Sequence, residues 1–159
     1  MNIFALYDEP DLAAQAHCDK HVVKMITETA QLLSTALREL GVDNIRLYRR
    51  THVNHPCAVW VRETRGNYNW TRRLLRALLE EYDYRYGGEG KFERAREILV
   101  LTQTYSLFIP PGERTPFALA MPDDYRGADA VASYRRYYQG EKADFCVWTN
   151  RPKPEWFRG

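Results

Sequence analysis

Two histidines, a lysine, a carboxylate and an amide are spaced about one helical turn apart near the start of this sequence. They lie within HCDKHVVKMITETAQLLSTALREL, whose apolar residues recur every third or fourth position, as in an amphipathic helix. The apolar side of that helix would contain Val22, Ile26, Ala30, Leu33, Leu37 and Leu40. The polar side would contain His17, His21, Lys24, Glu28, Gln31 and Thr35. We interpret the first five of these polar residues as candidate catalytic residues; an ordinary solvated helix face is the alternative that the sequence leaves open.

This polar side could support covalent catalysis by an amine. Lys24 lies one turn from both His21 and Glu28. A nearby cation favours the neutral, nucleophilic form of an amine, and a nearby carboxylate favours the charged form. A neutral lysine can form a Schiff base with the C1′ atom of a sugar after its base is lost, and a carboxylate can stabilise the positive charge that develops on the sugar. The simpler alternative is a Lys24–Glu28 ion pair between neighbouring turns, which would stabilise the helix by about 0.3 kcal/mol.

The two histidines also allow a metal site as a second interpretation. Side chains one turn apart on a helix can bind the same ion, so His17 and His21 could act together. His52 and His55, with Cys57, could complete a tetrahedral set from the following segment. The spacing in that segment is irregular, so we expect no bound metal and no cofactor, and we retain the four histidines as the alternative site.

Basic residues are concentrated between residues 46 and 76, although the net charge of the chain is only +2. Arginines spaced three or four residues apart on one helix face suit a row of phosphates. A solvated helix whose arginines pair with Glu63, Glu80 and Glu81 is the alternative. We expect DNA to contact Lys20, Arg46, Arg49, Arg50, Arg62, Arg65, Asn69, Arg72 and Arg76.

The composition limits the class of protein. The 159 residues are 45% hydrophobic, which is enough for one globular domain with a substantial core. Three cysteines without a CxxC motif argue against a disulfide framework and indicate a reducing compartment. The N-terminal MNIFALYDEP has neither a basic segment nor a long apolar run, so we expect no signal peptide. No segment has the roughly 18 apolar residues of a membrane span, and we therefore expect a cytoplasmic protein without a membrane partner.

The elements that position these residues are predicted to be helices. Apolar spacing and capping residues predict helices over 10–17, 20–40, 56–86 with a bend at Gly66, 91–106 and 127–139. Asp19 is expected to cap the second helix, and 117–121 to form one helical turn. Residues 2–7 are expected to be a strand or an extended arm, and the tail 151–159 to lie extended over the surface. The sequence thus predicts one all-α domain, 1–159, of five or six helices.

Three segments, taken in order, resemble phage pyrimidine-dimer DNA glycosylases, which are also called endonuclease V. They are LAAQAHCDKHVVKM, HVNHPCAVWVRETRGNYNWTRRLLRALLEEYDYRYG and IPPGERTPFALAMPDDYRGADAVASYRRYYQGEK. The chain also resembles phage-type proteins that open with a similar CDKHVVKM segment. The resemblance implies a small all-α enzyme of DNA repair or modification that binds DNA and cleaves the bond between a base and its sugar.

The resemblance also implies a catalytic arrangement, which this chain matches in part. That family uses its N-terminal α-amine as nucleophile, a glutamate on the first helix, and two arginines one turn apart. Here the basic pair maps to Lys20 and Lys24, the acidic position falls on His21, and Glu28 lies further along the helix. Met1 is expected to stay in place because the next residue is large. We therefore expect a glycosylase or glycosylase–lyase acting on damaged or modified DNA. A non-catalytic nucleic-acid-binding module and a histidine-ligated, metal-dependent hydrolase are the alternatives.

Overall fold

The computed structural model describes residues 1–88 and 90–159, and those residues form six α-helices and no β-strand. The helices are α1 (Pro10–Ala16), α2 (Asp19–Glu39), α3 (Pro56–Glu63), α4 (Arg65–Tyr86), α5 (Glu93–Thr104) and α6 (Ala130–Lys142). Short 3₁₀ turns occur at Ser106–Phe108, Asp123–Tyr125 and Ala143–Phe145. The prediction of one all-α domain is therefore confirmed. None of the helices in the described residues is long and apolar enough to cross a membrane.

The packing of α2 against α4 forms the centre of the fold. The predicted apolar side of α2 is buried at every position from Val22 to Leu37. α4 packs against α2 and buries Leu74 and Leu78. α3 and α5 each contact both of these helices, and α1 contacts α4. Because α2 and α4 each bury one side against the other, their outer sides face in opposite directions.

The N-terminal segment, residues 2–7, is an extended arm, which is one of the two conformations that the sequence predicted. Its residues from Ile3 to Leu6 are all buried. The ring of Phe4 stacks on His21 of α2 with a centroid distance of 4.7 Å and meets Tyr138 of α6 edge-on at 5.4 Å. Arg135 Nε, also on α6, donates to the Leu6 carbonyl at 2.9 Å. The arm is therefore held between α2 and α6.

The segment predicted as one helix over 56–86 is two helices, because the chain is extended at Thr64. Thr64 has φ −138° and ψ 155°, and its hydroxyl accepts a hydrogen bond from Asn67 N–H at 3.1 Å, which caps α4. The Gly66 N–H donates to the Gly112 carbonyl at 2.9 Å. The predicted bend at Gly66 is therefore wrong in its position. A distant loop supplies an acceptor for the first turn of α4, whose N–H groups have no partner within the helix.

Two helix starts also differ from the prediction. Asp19 does not cap α2, because Cys18 occupies the cap position without a side-chain capping bond. The Asp19 carboxylate instead accepts hydrogen bonds from the Thr149 hydroxyl at 2.6 Å and from its N–H at 2.9 Å. α6 begins at Ala130, later than predicted, because Asp129 supplies the capping oxygen.

Residues 117–121 do not form the predicted helical turn. The hydroxyl of Tyr134 on α6 donates to the Ala118 carbonyl at 2.5 Å and accepts from Ala120 N–H at 3.3 Å. These bonds take main-chain groups that a helical turn would pair internally. Phe117 and Met121, at the two ends of the segment, are buried. The segment is thereby fixed against α6 in an irregular conformation.

A buried network of charged side chains fixes the C-terminal tail. Glu81 and Arg85 of α4 are 3% and 4% exposed. Arg85 donates to Glu81 at 2.7 Å and to Asp19 at 2.8 Å. Arg151 in the tail donates to both oxygens of Glu81, each at 2.9 Å. Because removing one partner of a buried ion pair costs roughly 3–5 kcal/mol, the tail, which has no helix after Phe145, is an integral part of the domain.

Replacing Gly66 by alanine is expected to destabilise the fold more than the same replacement in α6. A Cβ atom at Gly66 would overlap the backbone of Glu113 and Arg114, which directly follow the Gly112 carbonyl that accepts from Gly66 N–H. At Gly140 the nearest atoms all belong to the side chain of Tyr125, which can rotate. We expect Gly66→Ala to lower the free energy of unfolding by about 2 kcal/mol and Gly140→Ala to change it by less than about 0.5 kcal/mol in urea denaturation. Equal losses in the two variants would contradict the close approach at Gly66.

Candidate active site

Two amines lie on either side of one carboxylate on the outer side of α2. The α-amine of Met1 is 3.5 Å from Glu28 Oε2, and Lys24 Nζ is 3.5 Å from Glu28 Oε1. The Glu28 side chain is 16% exposed, whereas that of Lys24 is 61% exposed. The structure therefore brings together two of the predicted catalytic residues and adds an amine that helical spacing alone could not place.

The residues after Met1 fix the position of its amine. The Met1 side chain is 3% exposed although the residue as a whole is only partly buried, so its exposed atoms belong to the main chain that carries the amine. Asn2 Nδ2 donates to the Ala120 carbonyl at 2.8 Å, and Asn2 Oδ1 accepts from Cys57 Sγ at 3.2 Å. Asn2 thus fastens the arm to α3 and to the irregular segment before α6. The position of the amine beside Glu28 depends on these bonds.

His55, at the start of α3, is affected by the same charges. Its Nδ1 accepts a hydrogen bond from Cys57 N–H at 3.1 Å, which caps α3. Because Nδ1 is an acceptor, the proton of the neutral ring lies on Nε2. Burial, and next the positive charge of the Met1 amine, lower the pKa of His55, and the charge of Glu28 acts in the opposite direction. His55 is therefore a neutral imidazole in the electrostatic field of the amine and the carboxylate.

His17 and His21 are in the interior and not on an exposed helix face. They are 0% and 5% exposed. His17 Nδ1 donates to the Ala13 carbonyl at 2.6 Å, and its buried Nε2 has no hydrogen-bond partner in the part of the chain described. His21 Nδ1 lies 2.8 Å from the Tyr138 hydroxyl, which accepts from Cys18 N–H and so can donate to His21. The arm and α6 cover both rings and separate them from solvent.

Burial keeps both histidines neutral. It lowers the pKa of His17 from 6.5 to about 4 and that of His21 from 6.5 to about 3. Positive charge on His17, Lys142, Lys24 and Lys20 also lowers the pKa of His21. A neutral His21 does not supply the positive charge that would favour the neutral form of Lys24. The predicted row of polar residues is therefore not one exposed helix side, because His17 ends α1 in an extended conformation before α2 begins. His21 is buried, and the more exposed part of the row is around Lys24 and Glu28.

A basic loop, residues 42–55, lies along the outer side of α2. Arg38 of α2 donates to three main-chain carbonyls of residues 44–48 at 2.7–3.0 Å. The Thr35 hydroxyl accepts from Thr51 N–H at 3.2 Å, which explains why the predicted polar residue Thr35 is buried. Lys20 is exposed and Gln31 is half-buried on the same side of α2 as Glu28. The loop therefore continues the outer surface of α2 beyond the carboxylate.

The arginines predicted to contact DNA lie on more than one surface. In the loop beside α2, Arg46 pairs with Glu97 and Arg50 with Glu39, each at 3.1 Å, while Arg49 is exposed. Exposed pairs of this kind contribute about 0–1 kcal/mol. They leave the positive charge of the loop available to a polyanion.

The predicted row from Arg62 to Arg76 is interrupted at the break between α3 and α4. Arg62 on α3 donates to the Val53 carbonyl at 2.8 Å, and Arg65 donates to the Ile109 carbonyl at 3.1 Å, so both hold loops in place. Asn69, Arg72 and Arg76 are on the outer side of α4. That side faces away from α2, so these three residues do not share a surface with Glu28.

No group of three or more histidine, cysteine, aspartate or glutamate side chains in residues 1–88 and 90–159 is arranged to hold a metal ion. His17 and His21 are buried next to Phe4, whereas His52 is exposed. The four histidines of the alternative metal site are therefore not brought together.

No protein-family model, curated protein or solved structure matches this chain. The pairing of the Met1 amine with Glu28 could not be read from helical spacing, because it depends on the path of the arm. The sequence-based comparison with pyrimidine-dimer glycosylases predicted an α-amine nucleophile and placed its acidic partner at His21. From His21 to Glu28 the helix rises about 10 Å, so the carboxylate beside the amine lies two turns further along.

The two buried histidines are expected to make the fold sensitive to acid. Their pKa values are lower in the folded chain than in the unfolded chain, so the unfolded state binds more protons and stability falls as the pH drops from 6.5 towards about 4. For His17 the loss would amount to roughly 3 kcal/mol. We expect His17→Asn to flatten the dependence of the unfolding free energy on pH, as measured by denaturant titration. His52→Asn, at an exposed position, is the matched control, and an unchanged pH dependence in His17→Asn would contradict the assignment.

Proposed function

We propose that this chain is a DNA glycosylase that cleaves the bond between a damaged or modified base and its sugar with an amine nucleophile. The observation that carries the proposal is the pair of amines, Met1 α-amine and Lys24 Nζ, which share the Glu28 carboxylate at 3.5 Å each. Such a set combines a nucleophile with a negative charge that stabilises a positively charged sugar.

The proposed reaction gives each group a defined step. One amine in its neutral form attacks C1′ of the deoxyribose, and the bond from C1′ to the base breaks. The base leaves with the electron pair of the broken bond and takes a proton from solvent. Glu28 stabilises the positive charge on the sugar during this step. A proton then moves from the new C1′–nitrogen unit to the ring oxygen, the bond from C1′ to that oxygen breaks, and a protonated Schiff base forms, which water can hydrolyse.

The Met1 α-amine is the better placed of the two nucleophiles. The bonds of Asn2 already hold it, so attack requires little further loss of conformational entropy. Lys24 is on an exposed, flexible side chain. We therefore assign nucleophilic attack to Met1 and a charge-balancing role to Lys24.

The resemblance to pyrimidine-dimer DNA glycosylases supports the same assignment. Those enzymes combine an N-terminal α-amine with a glutamate on the first helix. In this chain the arm passes over His21 and ends beside Glu28. Glu28 would therefore take the part of that glutamate, from a position two turns further along the helix.

The DNA strand is proposed to cross the outer side of α2. Lys20 and Lys24 are exposed one turn apart on one side of Glu28, and Arg49 is exposed in the basic loop on the other. Positive charge on both sides of the carboxylate suits a phosphate backbone that passes over it. A base within a duplex has to leave the stack to reach this site.

Borohydride added during reaction with duplex DNA that contains modified bases is expected to reduce the Schiff base and leave the protein covalently bound to DNA. Mass spectrometry of the digested adduct should locate the link on the peptide that carries Met1. Glu28→Gln keeps the size of the side chain but removes its charge, so it should lower base release by about 100-fold. Glu63→Gln, at an exposed position of α3, is the matched control and should have no effect.

Three results would contradict this proposal. Absence of both adduct and base release across a panel of modified DNAs would exclude the activity. Base release without a trapped adduct would exclude the amine nucleophile. An adduct linked to the peptide that carries Lys24 would show that Lys24, and not Met1, is the nucleophile.

Arg49→Gln is expected to weaken DNA binding, whereas Arg72→Gln should leave it unchanged. Each variant removes one positive charge, but Arg72 is on the outer side of α4, away from Glu28. For Arg49→Gln we expect the slope of log affinity against log salt concentration to fall by about 1. Fluorescence anisotropy at several salt concentrations measures this slope. A larger effect of Arg72→Gln would place the DNA on α4 and contradict the proposed path.

A further inference from the structure

A groove of about 500 Å³ lies between α4 and α5. Arg72, Arg73 and Arg76 of α4 line one wall, and Leu99, Val100 and Gln103 of α5 line the other. Small-molecule sites in proteins commonly measure about 300–1,000 Å³. Because the outer side of α4 faces away from α2, this groove is separate from the site around Glu28.

Arg72 makes the groove suited to an anion. Its Nε donates to Thr102 Oγ1 at 3.0 Å, and the Thr102 hydroxyl donates to the Leu99 carbonyl at 2.7 Å. Neutral groups of α5 therefore fix the orientation of the guanidinium. Burial, and to a smaller extent the positive charge of Arg76, lower the pKa of Arg72. In residues 1–88 and 90–159 its two terminal nitrogens have no carboxylate partner, so they are available to a ligand.

The other two arginines are held only weakly. Arg73 pairs with Glu9 at 3.3 Å and Asp11 at 3.4 Å, and Arg76 pairs with Asp11 and Glu80 at 3.6 Å each. The side chains of both arginines are about half exposed. Because exposed pairs contribute about 0–1 kcal/mol each, either guanidinium can turn towards a ligand in the groove at little cost.

We propose that this groove binds a small phosphomonoester with an apolar part, such as a nucleoside monophosphate. A phosphomonoester carries about two negative charges at neutral pH, which suits three guanidiniums better than the single charge of a carboxylate or a phosphodiester. Arg72 can bind two of its oxygens side by side. Leu99 and Val100, the latter 68% exposed, provide an apolar surface for the rest of the molecule. The proposed glycosylase activity is not required for this binding.

Titration of the ¹⁵N-labelled full chain followed by NMR tests the proposal. Thymidine monophosphate is expected to shift the amide signals of α4 and α5 around the groove and to leave those around Glu28 unchanged. Inorganic phosphate should shift the Arg72 region more weakly, because it has no apolar part. Thymidine, which lacks the phosphate, should cause no shift at these concentrations. A short single-stranded oligonucleotide tests whether a phosphodiester is the source instead, and it should not shift the groove signals.

Two variants and one control make the test specific. Arg72→Gln removes the unpaired guanidinium and should weaken thymidine monophosphate binding by about tenfold or more. Val100→Asp places a carboxylate at an exposed position of the groove, so it should repel the phosphate without disturbing the core. Arg49→Gln makes the same charge change on the other side of the molecule and should leave this binding unchanged.

Each of the following results would overturn the proposal. If thymidine bound as tightly as its monophosphate, the phosphate would not be recognised. If inorganic phosphate bound as tightly as the nucleotide, the apolar part would not be recognised. The oligonucleotide could shift the groove signals while the mononucleotide does not. Binding could also survive in Val100→Asp, a result that applies even if Arg72→Gln proves unstable.

Discussion

The burial of α2 against α4 determines where the polar groups of this protein can lie. Each helix has one apolar side. Burial of a side chain such as Leu33 or Leu78 stabilises the folded state by roughly 2 kcal/mol. Once these sides meet, the polar side of each helix must face outwards, in opposite directions. Glu28 and the arginines of α4 are therefore on separate surfaces, although both are polar faces of neighbouring helices. A single pocket lined by both Glu28 and the arginines of α4 would require the contact between α2 and α4 to be lost.

Periodicity predicted the helices well because it reports which side chains must be buried. The bounds of α2 lie within about one residue of the predicted ones, and its apolar side is buried as predicted. The break at Thr64 and the irregular segment 117–121 could not be predicted in the same way. Both depend on hydrogen bonds from distant residues, a loop carbonyl at Gly112 in the first case and the Tyr134 hydroxyl in the second. The residues near Thr64 or in segment 117–121 do not reveal these partners, because the partners are distant in the sequence.

The same limit applies to the candidate site. His21, Lys24, Glu28 and Gln31 lie in α2, but His17 precedes that helix as the last residue of the turn that ends α1. A helical wheel also cannot tell a side that faces solvent from one that faces another element. Phe4 and Tyr138 cover the histidine end of this side, so His17 and His21 are buried groups with lowered pKa values. Glu28 keeps 16% of its side chain exposed, and the group that the arm places beside it is the Met1 amine.

Two amines beside one carboxylate resolve a conflict within the proposed reaction. Glu28 is mostly buried, and a buried carboxylate is costly unless a cation compensates its charge. The nucleophile, however, must give up its own positive charge before it can attack C1′. With a single amine, Glu28 would lose its partner at that moment. With two amines, Lys24 could stay paired with Glu28 while the Met1 amine reacts, so in the proposed reaction the carboxylate would keep a cation until positive charge develops on the sugar. The Met1 amine, on an arm fixed by Asn2, suits the role of nucleophile. The exposed side chain of Lys24 suits the role of the compensating cation.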